Sequence, residues 1–457
     1  GRTRSLALES DPCDVASSLA DGDVAVGMTR VDAWERAPSD ETRGSAGPRY
    51  MAFVLSSDGR IAEVDLGPAA QIEEAIRVWR ISFGARIDRG EIGRVEEGPE
   101  SELAAGRALR ALLFDPLVEA AEVREGGRLY VCLDDALHTV PIDALPLDPL
   151  VARRRGEEDI DDALRIGDRY DVRLELSFAR IVRPDPAPGG PTSVLAVGGI
   201  DFRVDPRAPV ADSSAIPGST ARLAGSRRSN DWGNRDSLYS PRGEVQLIAD
   251  YARDQLDVVP VVLGESGVTE ASLRAAVPGK RFVHIATHAW FMPRTVKSML
   301  DAEPAASRRS LLGAERTVTG FMPLALCGLV LSGANAADST AELSERLLSA
   351  QELSTFDLAG CELAVLAACG TNVGIARAGQ GIQSLQTGLH QAGARATMTS
   401  LWDVDDAATK ELMADFYERL WLEGESKTRA LWSAKCALRR HGARVREWAA
   451  WVLVGGD

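Results

Sequence analysis

The 457-residue chain predicts an α/β fold, a mainly parallel sheet flanked by helices. Three observations carry that expectation. Short apolar runs alternate with segments of helical apolar spacing along most of the chain. Several runs, Arg281–Ala286 and Leu363–Ala368 among them, are apolar nearly throughout, as strands buried on both faces must be. Two runs end in reactive side chains, His288 and Cys369, where an open parallel sheet keeps its working groups.

In order along the chain, Tyr50–Leu55 and Ile61–Leu66 form a hairpin around Ser57-Asp58-Gly59. Gln71–Ile81 and Ser101–Leu113 have the apolar spacing of helices. Arg128–Leu133 is a short strand, Ala152–Asp168 a charged surface excursion, and Asp171–Val182 alternates as a strand. Pro184–Pro191, with four prolines and two glycines, is a linker that divides residues 1–183 from residues 191–457. Ser193–Val197 opens the second unit as a buried strand, and Phe202–Pro241 lacks periodicity and reads as a long loop. Gly243–Leu256 is a helix, Val258–Leu263 a strand, Thr269–Ala276 a helix and Arg281–Ala286 the histidine strand. Met292–Phe321 is irregular and Ala325–Leu331 is a strand. The cysteine strand precedes a helix over Gln380–Ala392 and a strand over Ala396–Leu401. Helices over Ala407–Glu423 and Lys427–His441 and an apolar run over Trp448–Val454 complete the chain.

Apolar content of 45 % excludes a disordered chain, and a net charge of −15 argues against nucleic acid as the main partner. No apolar run is long enough to span a bilayer. The start, Gly1-Arg-Thr-Arg, has neither initiator Met nor apolar signal and reads as part of a longer chain. The cysteines are scattered without a CxxC pair. That argues against a zinc site and a disulfide framework, and favours a reducing cytoplasm.

The residues with chemistry to offer cluster at three strand ends. Cys369 is followed by Gly370-Thr371-Asn372 and Gly374, small residues that let a substrate backbone approach. A core cysteine is the plain alternative. His284 and His288 lie four apart on one strand and so share a face. His284, mid-strand, reads as structural; His288, at the tip, reads either as a capping group or, beside a tip cysteine on another strand, as functional. In Ser400-Leu-Trp-Asp-Val-Asp-Asp406, an acidic helix start is one reading. A pocket wall is the other, with Trp402 under a long cationic side chain that pairs with Asp406 or Asp403.

Together these segments resemble the CHAT family, caspase-like peptidases often attached to tetratricopeptide repeats, and more distantly separase. The resemblance rests on Ala286-Thr287-His288-Ala289, on Ala367-Ala368-Cys369-Gly370-Thr371, and on Ala392-Gly393-Ala394 through Asp406. It also rests on Cys327–Asn335, Trp448–Gly455 and, in the first half, Arg128–Leu145. It implies a caspase-like fold preceded by a related, pseudo-protease-like α/β unit. It implies a cysteine endopeptidase with a Cys369–His288 dyad and an oxyanion hole from the backbone N–H groups of Ala289 and Cys369. Ala289 stands where the family has glycine and keeps the N–H. Ser400, Trp402, Asp403 and Asp406 are the substrate-binding candidates, for a basic residue before the cut. No metal or organic cofactor is expected. The partners implied are a protein substrate and an activating or sensor module, such as tetratricopeptide repeats outside this chain. A non-catalytic interaction module with a decayed site, and another cysteine-dependent acyl transfer, are the alternatives.

Overall fold

The computed structural model describes residues 11–31, 47–85, 98–121, 123–147, 163–182, 192–202, 242–291, 296–298, 318–321, 323–334, 346–368, 375–377 and 381–456. The expected linker and the expected loop after Phe202 lie outside these residues, as does Cys369.

The described strands form one dominant sheet. In chain order its members are β1 (Val24–Val31), β2 (Arg49–Ser56), β3 (Ile61–Pro68), β4 (Arg128–Cys132), β5 (Asp171–Leu174) and β6 (Val194–Ile200). They continue with β7 (Val261–Glu265), β8 (Phe282–Ala286), β9 (Leu363–Ala367), β10 (Ala396–Ser400) and β11 (Trp451–Val454). Their spatial order is β3-β2-β1-β4-β5-β11-β10-β9-β8-β6-β7. The five strands from β10 to β7 are mutually parallel. The terminal strand β11 joins β10 antiparallel and touches β5 in parallel through the single pair Val454–Leu174. The two halves of the sheet therefore run in opposite directions and meet at a narrow seam. The mainly parallel, helix-flanked α/β architecture is the one the apolar runs predict.

β8 and β9 are buried along almost their whole length, which is why their sequences do not alternate. Helices α1 (Ala69–Ser82) and α2 (Pro99–Leu113) pack on the first half. α3 (Arg242–Leu256) buries Val245, Ile248, Ala249 and Ala252, a helical i, i+3, i+4, i+7 stripe, against the second. It comes close to β6 because Gly198 is small: a Cβ there would lie 2.5 Å from Val245 Cγ2. α4 (Leu385–Ala392) lies on the opposite face and ends in a left-handed Gly393, φ 115°. α5 (Asp406–Trp421) buries Thr409, Leu412, Met413, Phe416 and Tyr417. One apolar cluster joins Tyr50, Trp79 and Leu109 of the first half to Val365, Met398 and Phe416 of the second.

α6 (Lys427–Arg440) fastens the seam. Its Lys427 pairs with Glu362 at 3.5 Å, just before β9. Its Lys435 and Arg439 reach Asp143 at 2.5 Å and Asp168 at 3.2 Å in the first half. Within that half, Arg165 and Glu102 form a buried ion pair, and Glu102 also accepts from Trp79 Nε1 at 2.8 Å.

Some elements differ from the sequence expectation. The strand expected over Asp171–Val182 stops at Leu174. Ser177 Oγ accepts from Ala179 N–H and starts a short helix, Ala179–Val182. The helix expected from Gln380 begins at Leu385, while Gly381–Gln383 pairs with Ile375–Arg377. Inside the stretch read as irregular, Val296–Ser298 pairs with Val318–Phe321. β1 carries no strong signal of its own, since Gly27 and Arg30 break up its apolar pattern, yet it pairs with both β2 and β4.

Candidate functional site

The site is built on two neighbouring strands. β8 and β9 pair in parallel with Ala286 opposite Ala367. His288 lies two residues beyond the first strand, and in the sequence Cys369 lies two residues beyond the second. Thr287 fixes the exit from β8, because its hydroxyl donates to Val330 O at 2.7 Å. The chain then turns into Ala289–Phe291, which pairs antiparallel with Cys327–Val330. Val330 N–H donates to His288 O at 2.8 Å, making those two residues a hydrogen-bonded pair. By the alternation of an antiparallel ladder, the N–H of Ala289 is directed to the side away from Cys327–Val330. The imidazole of His288 packs at 5.2 Å, ring centre to ring centre, against Phe202.

A cavity of about 40 Å³ opens beside this imidazole. Its lining includes His288, Ala368, Ser400, Asp406, Glu244 and Trp451. Ser400 closes one wall: its hydroxyl is buried and donates to Ala368 O at 2.8 Å, gripping the residue that precedes Cys369. Asp406 is the first residue of α5 but does not cap it. That task falls to Asp405, whose carboxylate accepts from Ala407 and Ala408 N–H. Desolvation, with the nearby charges of Asp405 and Glu244, raises the Asp406 carboxyl above its ordinary value. The acidic run thus divides its labour, one aspartate capping the helix and the other lining the cavity.

Trp402 and Asp403 do not line this cavity. Trp402 is 3 % exposed and belongs to the core: its Nε1 donates to Arg446 O at 2.8 Å, and Arg80 and Phe83 pack on its ring. Asp403 points to solvent. Both follow β10 by only a few residues, but the chain turns inward at Trp402 before it reaches the helix.

Glu244 is the ionisable lining residue that sequence reasoning missed. It sits in the first turn of α3, almost fully buried, and Oε1 lies 3.0 Å from His284 Nε2. The other ring nitrogen, Nδ1, lies 3.1 Å from the Tyr417 hydroxyl. With Nε2–H donating to the carboxylate, Tyr417 donates to Nδ1, and burial holds the Tyr417 phenol well above its ordinary value. This confirms His284 as a buried, hydrogen-bonded side chain. The only sequence signal for Glu244 is an acidic residue in the first turn of an amphipathic helix, which dipole preference alone would explain.

A larger cavity, about 530 Å³, lies near the seam and is lined by Asp171, Arg173, Trp432 and Leu453, with none of the predicted site residues. Among the described residues, no helix is long and apolar enough to cross a membrane.

Comparison with known proteins adds the following. The model of the CHAT domain matches residues 103–456. No curated protein matches the chain. Among solved structures, the Arg-specific cysteine proteinase gingipain R (RgpB) aligns at 10 % identity and a TM-score of 0.37, over 84 % of this chain and 74 % of that one. The complex of Porphyromonas gingivalis RgpB pro- and mature domains gives 10 % and 0.35, over 84 % and 75 %. The Saccharomyces cerevisiae separase–securin complex gives 8 % and 0.45. That alignment takes in 96 % of this chain but only 30 % of the separase chain.

Proposed function

Because this chain belongs to the CHAT domain family, we propose that it is a cysteine endopeptidase with Cys369 as nucleophile and His288 as its acid–base partner. The observation that carries the reading is the pairing of β8 with β9, which sets the histidine strand and the cysteine strand side by side in register. In the proposed reaction the His288 imidazole takes the Cys369 thiol proton as the sulfur forms a bond to the scissile carbonyl carbon. The carbonyl electrons move onto oxygen, and the N–H groups of Ala289 and Cys369 receive that charge, each worth roughly 3 kcal/mol in the transition state. The C–N bond breaks as His288 delivers a proton to the departing amine. Water, deprotonated by the same imidazole, then hydrolyses the thioester and restores the thiol.

The cut follows a basic residue. Asp406 supplies the opposing charge and Ser400 shapes the wall beside it. Residues 1–183 act as a non-catalytic support that docks substrate or a sensor partner, with α6 binding them to the catalytic half. The test is incubation of the full chain, and of its Cys369→Ala and His288→Ala variants, with candidate substrate proteins. Discrete fragments should appear with the parent chain and vanish with either variant. Fragments that persist with Cys369→Ala would remove the assignment.

A further inference from the structure

We infer that Glu244 is a second specificity-determining carboxylate and that, together with Asp406, it selects arginine over lysine before the cut; this rests on the peptidase reading above. Two helix starts, those of α3 and α5, converge on the cavity beside His288, each bringing one carboxylate to it. Helix N-termini favour such negative charge. Glu244 is held rigidly: Oε1 takes the bond from His284, which Tyr417 secures from behind. Among the described residues, no other group donates to this carboxylate, although its side chain is only 5 % exposed. A buried carboxylate with an open lone-pair edge on a cavity asks for a cation. The two acids feel one another, since Glu244 contributes to the upward shift at Asp406.

Donor geometry decides which cation. The cavity of about 40 Å³ beside His288 has room for the head of a cationic side chain. A guanidinium presents five N–H donors in a fixed plane, so it can serve two carboxylates on different walls at once. An ammonium is a compact, strongly hydrated point charge that gains less from a split pair of acceptors. The His284 bond adds to the discrimination by denying Glu244 the freedom to swing towards a smaller head.

The experiment compares the full chain with Glu244→Gln and Asp406→Asn on peptides that differ only in the residue before the cut: arginine, lysine, citrulline or leucine. Gln keeps an acceptor for His284 and removes only the charge; thermal unfolding checks that the variant is folded. The parent chain should prefer arginine to lysine by about tenfold or more. Glu244→Gln should lose roughly ten- to hundredfold in kcat/KM on arginine peptides, less on lysine peptides, and so bring their ratio towards one. Asp406→Asn should weaken both. A folded Glu244→Gln protein with an unaltered arginine-to-lysine ratio overturns the inference and leaves the peptidase reading standing. Cleavage after leucine in preference to arginine overturns it as well. Cleavage that survives Cys369→Ala removes the peptidase reading itself.

Discussion

The ion pair of Arg165 and Glu102 offers a direct measure of what holds the first half together. Arg165 is 0 % exposed and Glu102 2 %. The carboxylate accepts from Arg165 at 2.9 and 3.1 Å and from Trp79 Nε1 at 2.8 Å, while Arg165 also donates to Ala144 O at 3.2 Å. The guanidinium lies over the Trp448 ring, 5.4 Å from its centre. Neither charge has water to fall back on. Glu102→Gln keeps an acceptor for Trp79 but removes the negative charge that faces the guanidinium; Arg165→Met removes the positive charge that faces the carboxylate. Each should cost about 3–5 kcal/mol, the range for breaking one side of a buried pair. That lowers the unfolding midpoint by about 10 °C for a cooperative unit of this kind. The double variant removes both charges, keeps the Trp79 acceptor and leaves Ala144 O for the new amide. It should recover to within about 2 kcal/mol of the parent chain. Thermal and urea unfolding followed by tryptophan fluorescence read all four proteins. Single variants costing under about 1 kcal/mol, or a double variant as unstable as the sum of the singles, would refute the reasoning.

Three further outcomes are expected. Ser400→Ala removes the hydroxyl that holds Ala368 O; it should cost about 1–2 kcal/mol and slow cleavage about tenfold by loosening the residue before Cys369, and an unchanged rate in a folded variant would count against the grip. Arginine-peptide cleavage should decline as pH falls, from a higher pH than an ordinary aspartate would give, because desolvation raises the Asp406 carboxyl; a pH–rate profile of Asp406→Asn lacking that limb checks it. Desolvation pushes the His390 imidazole down to about 3 and that of His138 to about 4. The unfolded chain takes up these protons below about pH 6.5 while the fold resists them, so stability should be full above that pH. It should fall by about 1.4 kcal/mol per pH unit for each histidine between there and about pH 4, and unfolding midpoints that stay flat over this window would contradict it.

What the sequence disclosed followed from physical periodicity. Leu363–Ala367 and Phe282–Ala286 announce themselves because strands buried on both faces need unbroken apolar runs. His288 and Ser400 are read from their places at strand ends, and both line the cavity beside β8 and β9. Strand order carries no such signature: the insertion of β11 between β5 and β10 is set by long-range pairing, which no local pattern encodes. Trp402 was misjudged because an aromatic beside acids looks the same whether it faces a pocket or the core. Here the core wins: Trp402 is buried, and Arg80 and Phe83 both pack on its ring. Glu244 escaped notice because its role depends on His284, forty positions away, and on the cavity they share.

The family match starts at residue 103, one turn into α2. A polypeptide trimmed to that point would be cut through a layer of packed side chains rather than at a margin. It would forfeit β1, and with it the ladder that shields Leu129–Cys132. It would forfeit Glu102 too, the carboxylate that faces the buried Arg165 guanidinium. The edge of the family match and the edge of the packed layer thus fall in different places, and a piece that keeps this layer whole reaches back at least to Val24.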